Sequence, residues 1–240
     1  MISLYKTLLG AGLFMVPVAA VGKVAVHAEA NHLTIDSNKG FHASGGLYGV
    51  AARWLQGYEW RWGVEGRFVT GDVRTDVDGA VDETDQGDIT EGRAVLGRKI
   101  SSAGTIAYSG FGYRRLSHPV VARADRVNHT IYIPVGFRFH NAFENGWEIR
   151  TLVEAGFIPW SEDQFDSGAV NGQQDTTVSR SAGYELRLSF AMENQMLSLE
   201  PFFRYFQMGS GDDESIQGTE ADVSRLSESE FGIRVGLRFQ

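Results

Sequence analysis

The chain has 240 residues, with 22 Lys and Arg against 30 Asp and Glu, a net charge of −8, and no cysteine. The acidic balance disfavours nucleic-acid binding, and the lack of cysteine excludes a disulfide scaffold. The length suits a single all-β domain. After the amino-terminal leader, no run of eighteen apolar residues indicates a membrane-spanning helix.

Residues 1–30 are predicted to be a secretory signal peptide. A lysine supplies the positive n-region, residues 8–21 form an apolar core interrupted by Gly and Pro, and Ala30 ends a small-x-small cleavage motif. We expect cleavage after Ala30, although Ala28 and Ala20 also satisfy the rule. The sequence therefore predicts a single mature domain.

The mature domain, residues 31–240, consists mainly of segments in which apolar and polar residues alternate, bounded by Gly, Asn, Asp and Ser. Such segments predict strands, because successive strand side chains point to opposite faces. About ten are predicted, at 32–37, 46–55, 59–73, 88–100, 104–116, 128–140, 146–159, 179–191, 196–208 and 229–239.

The predicted connections alternate between short and long. Short links lie at 56–57, 101–103, 141–145 and 193–195, and long polar links lie at 38–45, 74–87, 117–127, 161–178 and 209–228. This alternation is typical of outer-membrane barrels, with short periplasmic turns and longer outer loops. We therefore predict a closed, antiparallel, up-and-down transmembrane β-barrel of about ten strands, with eight as the alternative. Both termini would be periplasmic and the long loops extracellular.

In such a barrel the apolar face of each strand meets lipid and the charged face lines the lumen. Unpaired ions away from water cost several kcal/mol, so the inward charges are expected to pair and fill a narrow barrel. The predicted lumen network comprises Arg53, Arg61, Glu65, Arg67, Glu91, Arg93, Arg114, Arg138, Glu148, Arg150, Glu154, Glu185, Arg187, Glu200, Arg204, Arg234 and Arg238.

Aromatic side chains near the strand ends are expected to lie in the lipid headgroup layer, where one side of the ring is wet and the other apolar. The predicted interface residues are Trp54, Tyr58, Trp60, Trp147, Trp160, Tyr205 and Phe239.

The search for catalytic or metal-binding residues gives weak candidates. The acidic segments at 72–88 and 209–230 do not match a calcium loop, and a solvated, self-repelling loop is the simpler interpretation. Ser117 and His118 are adjacent, so on a strand they would point apart, and no Gly-x-Ser-x-Gly elbow is present. An omptin-like protease would need Asp and His on opposing strand tops. Asp72, Asp163 and Asp212 are available for such a rim site, but every acidic loop offers such residues. The five histidines considered, His32, His42, His118, His129 and His140, show no metal-ligand spacing. We predict no metal, no cofactor and no enzymatic activity.

Three segments, 110–114, 199–206 and 230–239, resemble strands of small Gram-negative outer-membrane β-barrel proteins of the OmpX and opacity type. The resemblance is one of architecture and strand pattern over essentially the whole mature chain. It implies insertion by the barrel-assembly machinery, which recognises a carboxy-terminal strand ending in an aromatic residue. Here that residue is Phe239, followed by Gln240.

The sequence therefore predicts a monomeric protein of the bacterial outer membrane, in contact with membrane lipid and lipopolysaccharide. Its expected role is structural or surface-interactive, through long acidic loops. A narrow channel or transporter, and a rim-localised enzyme acting on lipopolysaccharide or peptides, are the alternatives. The excess of inward Arg would give a channel an anion preference.

Overall fold

The computed structural model describes residues 22–38, 40–77, 80–102, 104–120, 124–166, 176–211, 215–216, 219–220 and 225–239. The strands are β1 Lys23–Ser37, β2 Phe41–Gln56, β3 Trp60–Val77, β4 Ala80–Lys99, β5 Ile106–Val120, β6 Ala124–Ala142, β7 Glu148–Asp166, β8 Thr176–Arg180, β9 Gly183–Glu193, β10 Leu197–Met208, β11 Ser215–Ile216, β12 Thr219–Glu220 and β13 Leu226–Phe239. No helix in the described ranges is long and apolar enough to cross a membrane.

The strands close into an antiparallel ring in the order β1, β2, β3, β4, β5, β6, β7, β9, β10, β13. Closure occurs where β1 pairs with β13, from Val24 opposite Phe239 to Ser37 opposite Leu226. The short β8 continues the position of β9 along the far end of β7. The predicted closed all-β barrel of ten strands is thus confirmed.

The two ends of the barrel differ, and we name them by their connections. The short-turn end carries the turns around residues 57–59, 100–105, 143–147 and 194–196, together with both ends of the described chain. The opposite end is the long-loop end. At the first short turn, Gly57 has φ +103°, and an added Cβ would lie 1.9 Å from the Trp60 carbonyl oxygen, so only glycine fits there.

Several strands are longer than predicted. β1 begins at Lys23, nine residues before the predicted start, and so includes Ala28 and Ala30 of the predicted cleavage motif. The predicted long links at 38–45 and 117–127 are mostly strand, because β2 starts at Phe41, β5 runs to Val120 and β6 starts at Ala124. The predicted long link at 74–87 is largely a hairpin, in which β3 runs to Val77 and β4 starts at Ala80. The sequence of this link indicates a loop because both faces of it are polar. A hairpin surrounded by water nevertheless forms when its backbone hydrogen bonds are satisfied and a few apolar side chains point inward. The leader itself falls mostly in residues 1–21, outside the described residues, and stays a prediction.

A belt of exposed apolar side chains surrounds the barrel next to the short-turn end. On β13 it runs from Phe231 to Phe239 at alternate positions. With a strand rise of about 3.3 Å and a tilt of about 40°, nine residues give a height of roughly 20 Å, close to an outer-membrane span. The predicted interface residues Trp54, Tyr58, Trp60, Trp147 and Phe239 lie at its short-turn edge, and Trp160 and Tyr205 at its long-loop edge.

The polarity of the two faces reverses beyond the belt, towards the long loops. There the outward side chains become polar, as with Asp72, Arg74, Gln86, Asp88, Arg115, Glu162, Gln164, Gln207, Ser227 and Ser229. The inward side chains form an apolar cluster of Leu33, Ile35, Ala43, Leu47, Val69, Val73, Ile89, Leu116, Tyr132, Ile158, Phe206, Met208 and Leu226. Outside lipid, the outer face meets water, so the interior supplies the hydrophobic core. The sequence analysis, which treated the whole lumen as charged, missed this apolar plug.

Candidate functional site in the barrel lumen

The centre of the lumen is crossed by ion pairs between opposite walls. Arg204 on β10 and Glu91 on β4 are five positions apart in the ring of ten, and Arg204 Nη2 lies 2.7 Å from Glu91 Oε1. Arg114 on β5 faces β13, which is also five positions away in the ring, with its Nη1 2.7 Å from Glu228 Oε2. Since guanidinium and carboxylate groups meet midway, the described side chains obstruct the lumen at this level.

The carboxylates are shared among several guanidinium groups. Glu65 lies 2.8 Å from Arg93 Nη2 and also accepts from Arg138. Arg93 in turn donates from Nη1 to both oxygens of Glu154, at 2.8 Å each. Tyr108 donates its hydroxyl hydrogen to Glu154. Each anion therefore has more than one donor, which offsets the cost of placing it away from bulk water.

Aromatic rings fill the space between the charges. The guanidinium carbons of Arg114 and Arg204 lie 4.4 and 5.0 Å from the Phe206 ring centroid. The Phe206 ring therefore makes two cation–π contacts. Tyr132 packs edge-on against Phe206 and donates a hydrogen bond to Glu91. A Cβ at Gly112 would lie 2.2 Å from Cζ of Tyr132, so this glycine provides the room for the ring.

All of the predicted lumen residues except Arg61 take part in ion pairs. Among the residues that the structure describes, Arg61 has no ion-pair partner. The rest of the set is brought together along one continuous column from Glu148 near the short-turn end to Arg114 near the apolar plug.

Several members of this column lie outside the predicted set: His27, Glu29, Asn31, Glu193, Glu228 and Glu230. Arg126, Asp163 and Arg180, which form a separate cluster, are also outside that set. His27 and Glu29 had been assigned to the leader, and Glu193 to a turn. Glu29 receives a 2.7 Å hydrogen bond from Arg234 Nε, which ties β1 to the closing strand. Glu228 and Glu230 have the same parity as Arg234 on β13, and this signal was sufficient to find them.

A separate charged cluster lies past the belt, beside the apolar plug. Arg126 donates to both Asp163 oxygens, at 3.0 and 2.8 Å, and Asn128 donates to Asp163 at 2.8 Å. Arg180 also contacts Asp163. Burial alone raises the pKa of Asp163, but the charges of Arg126 and Arg180 outweigh it and hold that pKa below its ordinary value.

The catalytic candidates are not brought together. His118 is buried in the interior, whereas Ser117 occupies the opposite face of β5. Asp163 is held by its Arg partners, and Asp72 is exposed on the outer face. Among the described residues, no three His, Asp or Glu side chains are arranged to hold a metal ion. Asp212, also considered for a rim site, lies outside the described residues.

A closed antiparallel barrel with an apolar belt, aromatic edges and an ion-paired lumen defines a membrane-spanning β-barrel protein. The fold is that of bacterial outer-membrane barrels, as a comparison with solved structures shows.

Among these, the outer-membrane protease OmpT from Escherichia coli has a TM-score of 0.56 at 9% identity, over 91% of this chain and 96% of that chain. Ail, the attachment invasion locus protein of Yersinia pestis, has a TM-score of 0.35 at 11% identity, over 92% and 100%. Neisserial surface protein A has a TM-score of 0.36 at 12% identity, over 88% and 96%. No protein-family model and no curated protein matches the chain. At these identities the likeness shows the fold alone, and that fold supports the predicted outer-membrane location.

Proposed function

We propose that this protein is a non-conducting outer-membrane barrel with a structural or surface-interaction role. The observation that carries the proposal is the set of ion pairs spanning the lumen, above all Arg204 with Glu91 and Arg114 with Glu228. Barrels of about eight strands are filled by side chains, whereas sixteen or more strands leave an aqueous channel. A ten-stranded barrel crossed by Arg and Glu belongs with the filled kind.

Planar-bilayer recording of the purified mature protein tests the closed lumen. We expect no step conductance from the unmodified protein. The double variant Arg204→Ala, Glu91→Ala removes one crossing pair, and step currents should appear. Arg74→Ala, a change on the exposed outer face, is the matched control and should remain silent. A wide, stable conductance from the unmodified protein would refute the proposal.

The proposed orientation places the long-loop end outside the cell and both termini in the periplasm. Two features support this orientation. The connections at one end are short turns, and at the other end the strands continue past the belt with polar side chains facing outward. The natural chain has no cysteine, so single cysteines report without background. Asp85→Cys, exposed near the long-loop end, should react with a membrane-impermeant maleimide on intact cells, and Glu59→Cys, exposed in the first short turn, should react only after lysis. The opposite labelling pattern would invert the orientation.

The surface role is proposed for the acidic segments at the long-loop end. The strands that lead to these acidic segments extend past the belt, with polar side chains outside and apolar side chains inside. We propose that they hold the ends of the acidic segments above the membrane. Replacing residues 212–224, which lie in the acidic segment 209–230, with a Gly-Ser linker of equal length should leave the barrel folded and reduce adhesion or serum resistance. Unchanged adhesion, serum resistance and envelope integrity after such replacement of every long-loop segment would refute the surface role.

The proposed partners are membrane lipid and lipopolysaccharide around the belt, and the barrel-assembly machinery at the closing strand. Phe239 supports the second, because it ends β13 with its ring 54% exposed. A closed ring has no free strand edge, which supports a monomer. Arrest of Phe239→Ala as an unfolded periplasmic species would support the role of the terminal aromatic residue, and normal assembly of this variant would count against it.

A further inference from the structure

The lumen opens at the short-turn end into a cavity of about 400 Å³, which we call the short-turn vestibule. This volume is in the range of small-molecule sites. Its wall is strongly cationic. The positive side chains that line it are Lys23, Arg53, Arg61, Arg138, Arg150 and Arg238.

The carboxylates of the vestibule do not balance this charge. Glu148 and Glu193 are the acidic residues of its wall among the described residues. Glu193 is shared by three guanidinium groups, with Arg150 Nη2 at 2.6 Å, Arg53 Nη2 at 3.4 Å and Arg238 Nη1 at 3.5 Å. Arg53 and Arg150 also pair with Glu200, at 3.7 and 3.4 Å, Arg238 pairs with Glu148 at 3.3 Å, and Arg138 pairs with Glu65. Four carboxylates thus serve four of the six cations, and the vestibule retains a net positive charge.

Arg61 is the guanidinium group of this wall that has no counter-charge among the described residues. Its Nε atom is buried and has no hydrogen-bond partner, and the described residues offer it no ion pair. Arg138, which is 5% exposed and lines the same wall, also has a buried Nε without a partner. A buried donor left unsatisfied costs about 1–3 kcal/mol, more for a charged group. A water molecule would satisfy these N–H groups but not the excess charge, whereas an oxyanion satisfies both.

One side of the vestibule is apolar. Leu55, Val95 and Ile106 line it together with the ring of Tyr108. Sites that bind small organic ligands combine such a wall with a few converging polar groups. A guanidinium group suits phosphate or carboxylate, because its N–H donors match the spacing of two oxygens.

We propose that the short-turn vestibule binds a small organic anion, with Arg61 donating to its phosphate or carboxylate group and Val95 and Ile106 contacting its apolar part. The site does not depend on whether the loops interact with a surface, since it lies at the other end of the barrel. In the proposed orientation it opens to the periplasm.

Isothermal titration of the purified mature protein in detergent micelles tests the site, with phenyl phosphate, benzoate and inorganic phosphate as probes. We expect saturable binding of phenyl phosphate at one site per barrel, and weaker binding of inorganic phosphate, which lacks the apolar part. Comparison of phenyl phosphate with benzoate identifies the preferred acidic group. Arg61→Gln should weaken phenyl phosphate binding at least tenfold, and Arg74→Gln, on the exposed outer face, should leave it unchanged.

A second variant separates the two parts of the site and keeps the test valid if Arg61→Gln fails to fold. Val95→Thr should weaken phenyl phosphate binding several-fold and leave inorganic phosphate binding unchanged. The proposal is overturned if neither phenyl phosphate nor benzoate saturates, if Arg61→Gln folds and binds as the unmodified protein does, or if neutral benzyl alcohol binds as tightly as phenyl phosphate.

Discussion

Replacing Arg204 with methionine tests the energetic role of the lumen network. Arg204 is fully buried, with its Nη2 2.7 Å from Glu91 Oε1 and 2.9 Å from Glu185 Oε1. Methionine keeps most of the side-chain volume and removes the charge, so two buried carboxylates lose a partner. Removing one member of a buried ion pair typically costs about 3–5 kcal/mol, because the remaining charge is left uncompensated. We expect Arg204→Met to lower the free energy of unfolding by that amount.

The assay is reversible urea unfolding of the barrel in lipid vesicles, followed by tryptophan fluorescence. Arg74→Met is the matched control, because Arg74 lies exposed on the outer face of β3, and surface changes of this kind usually stay within about 0.5 kcal/mol. Glu91→Gln added to Arg204→Met removes one stranded charge, so the double variant should recover at least about 1 kcal/mol. A loss below 1 kcal/mol for Arg204→Met, or a double variant in which the two losses simply add, would refute the reasoning.

Three further outcomes are expected. Mass spectrometry of the mature protein should place cleavage before Lys23, with the site after Ala20 favoured, because later cleavage removes part of β1; a mature chain beginning at residue 31 would contradict this. Tryptophan placed at Phe203, which faces outward, should be quenched by brominated acyl chains, and tryptophan at Phe206 should not. The lowered pKa of Asp163 stabilises the folded protein at pH values above the unfolded-state pKa of about 3.9. That stability is lost as the pH falls through the lower folded-state pKa. Asp163→Asn should therefore lower stability at pH 7 and flatten the acid limb of a stability-against-pH curve; an unchanged limb would exclude the contribution.

Strand alternation was enough to predict the class of fold and most of the lumen. The strict parity of β13, with Phe231 to Phe239 outward and Arg234 and Arg238 inward, indicates a sheet with lipid on one side. The alternation of short and long links adds closure and strand number. Strand parity and link length can both be recognised in short stretches of the sequence.

The apolar plug was harder to predict because its signal is a change of parity within a strand. On β3, Trp62 and Phe68 are outward at even positions, while Val69 and Val73 are inward at odd positions. On β10 the outward Phe203 is followed by the inward Phe206 and Met208 in the same way. Where one set ends and the other begins, the pattern looks irregular. Both stretches lie within predicted strands, at 59–73 and 196–208, but their whole inward face was interpreted as a charged lumen. Both sets of apolar residues are explained by the surroundings of the outer face, which are lipid at the belt and water beyond it.

The contacts across the lumen could not be predicted from alternation. Parity tells which face carries Arg204 and Glu91, but their meeting depends on ring size, strand tilt and the small residue at Gly112. The start of β1 was missed for a different reason, since Val24 to Ala30 consists mainly of Val and Ala and ends in a small-x-small motif, as a leader does. Only pairing with β13 and β2 distinguishes it.

The seam between β1 and β13 has a consequence for biogenesis. It joins the first long strand of the described chain to its last, with Val24 opposite Phe239. Until β13 has paired with β1, the sheet has two open edges, each offering unsatisfied amides to any neighbouring polypeptide. Such distant pairings form slowly, so we expect these two edges to remain open to other polypeptides for longer than any edge within the hairpins.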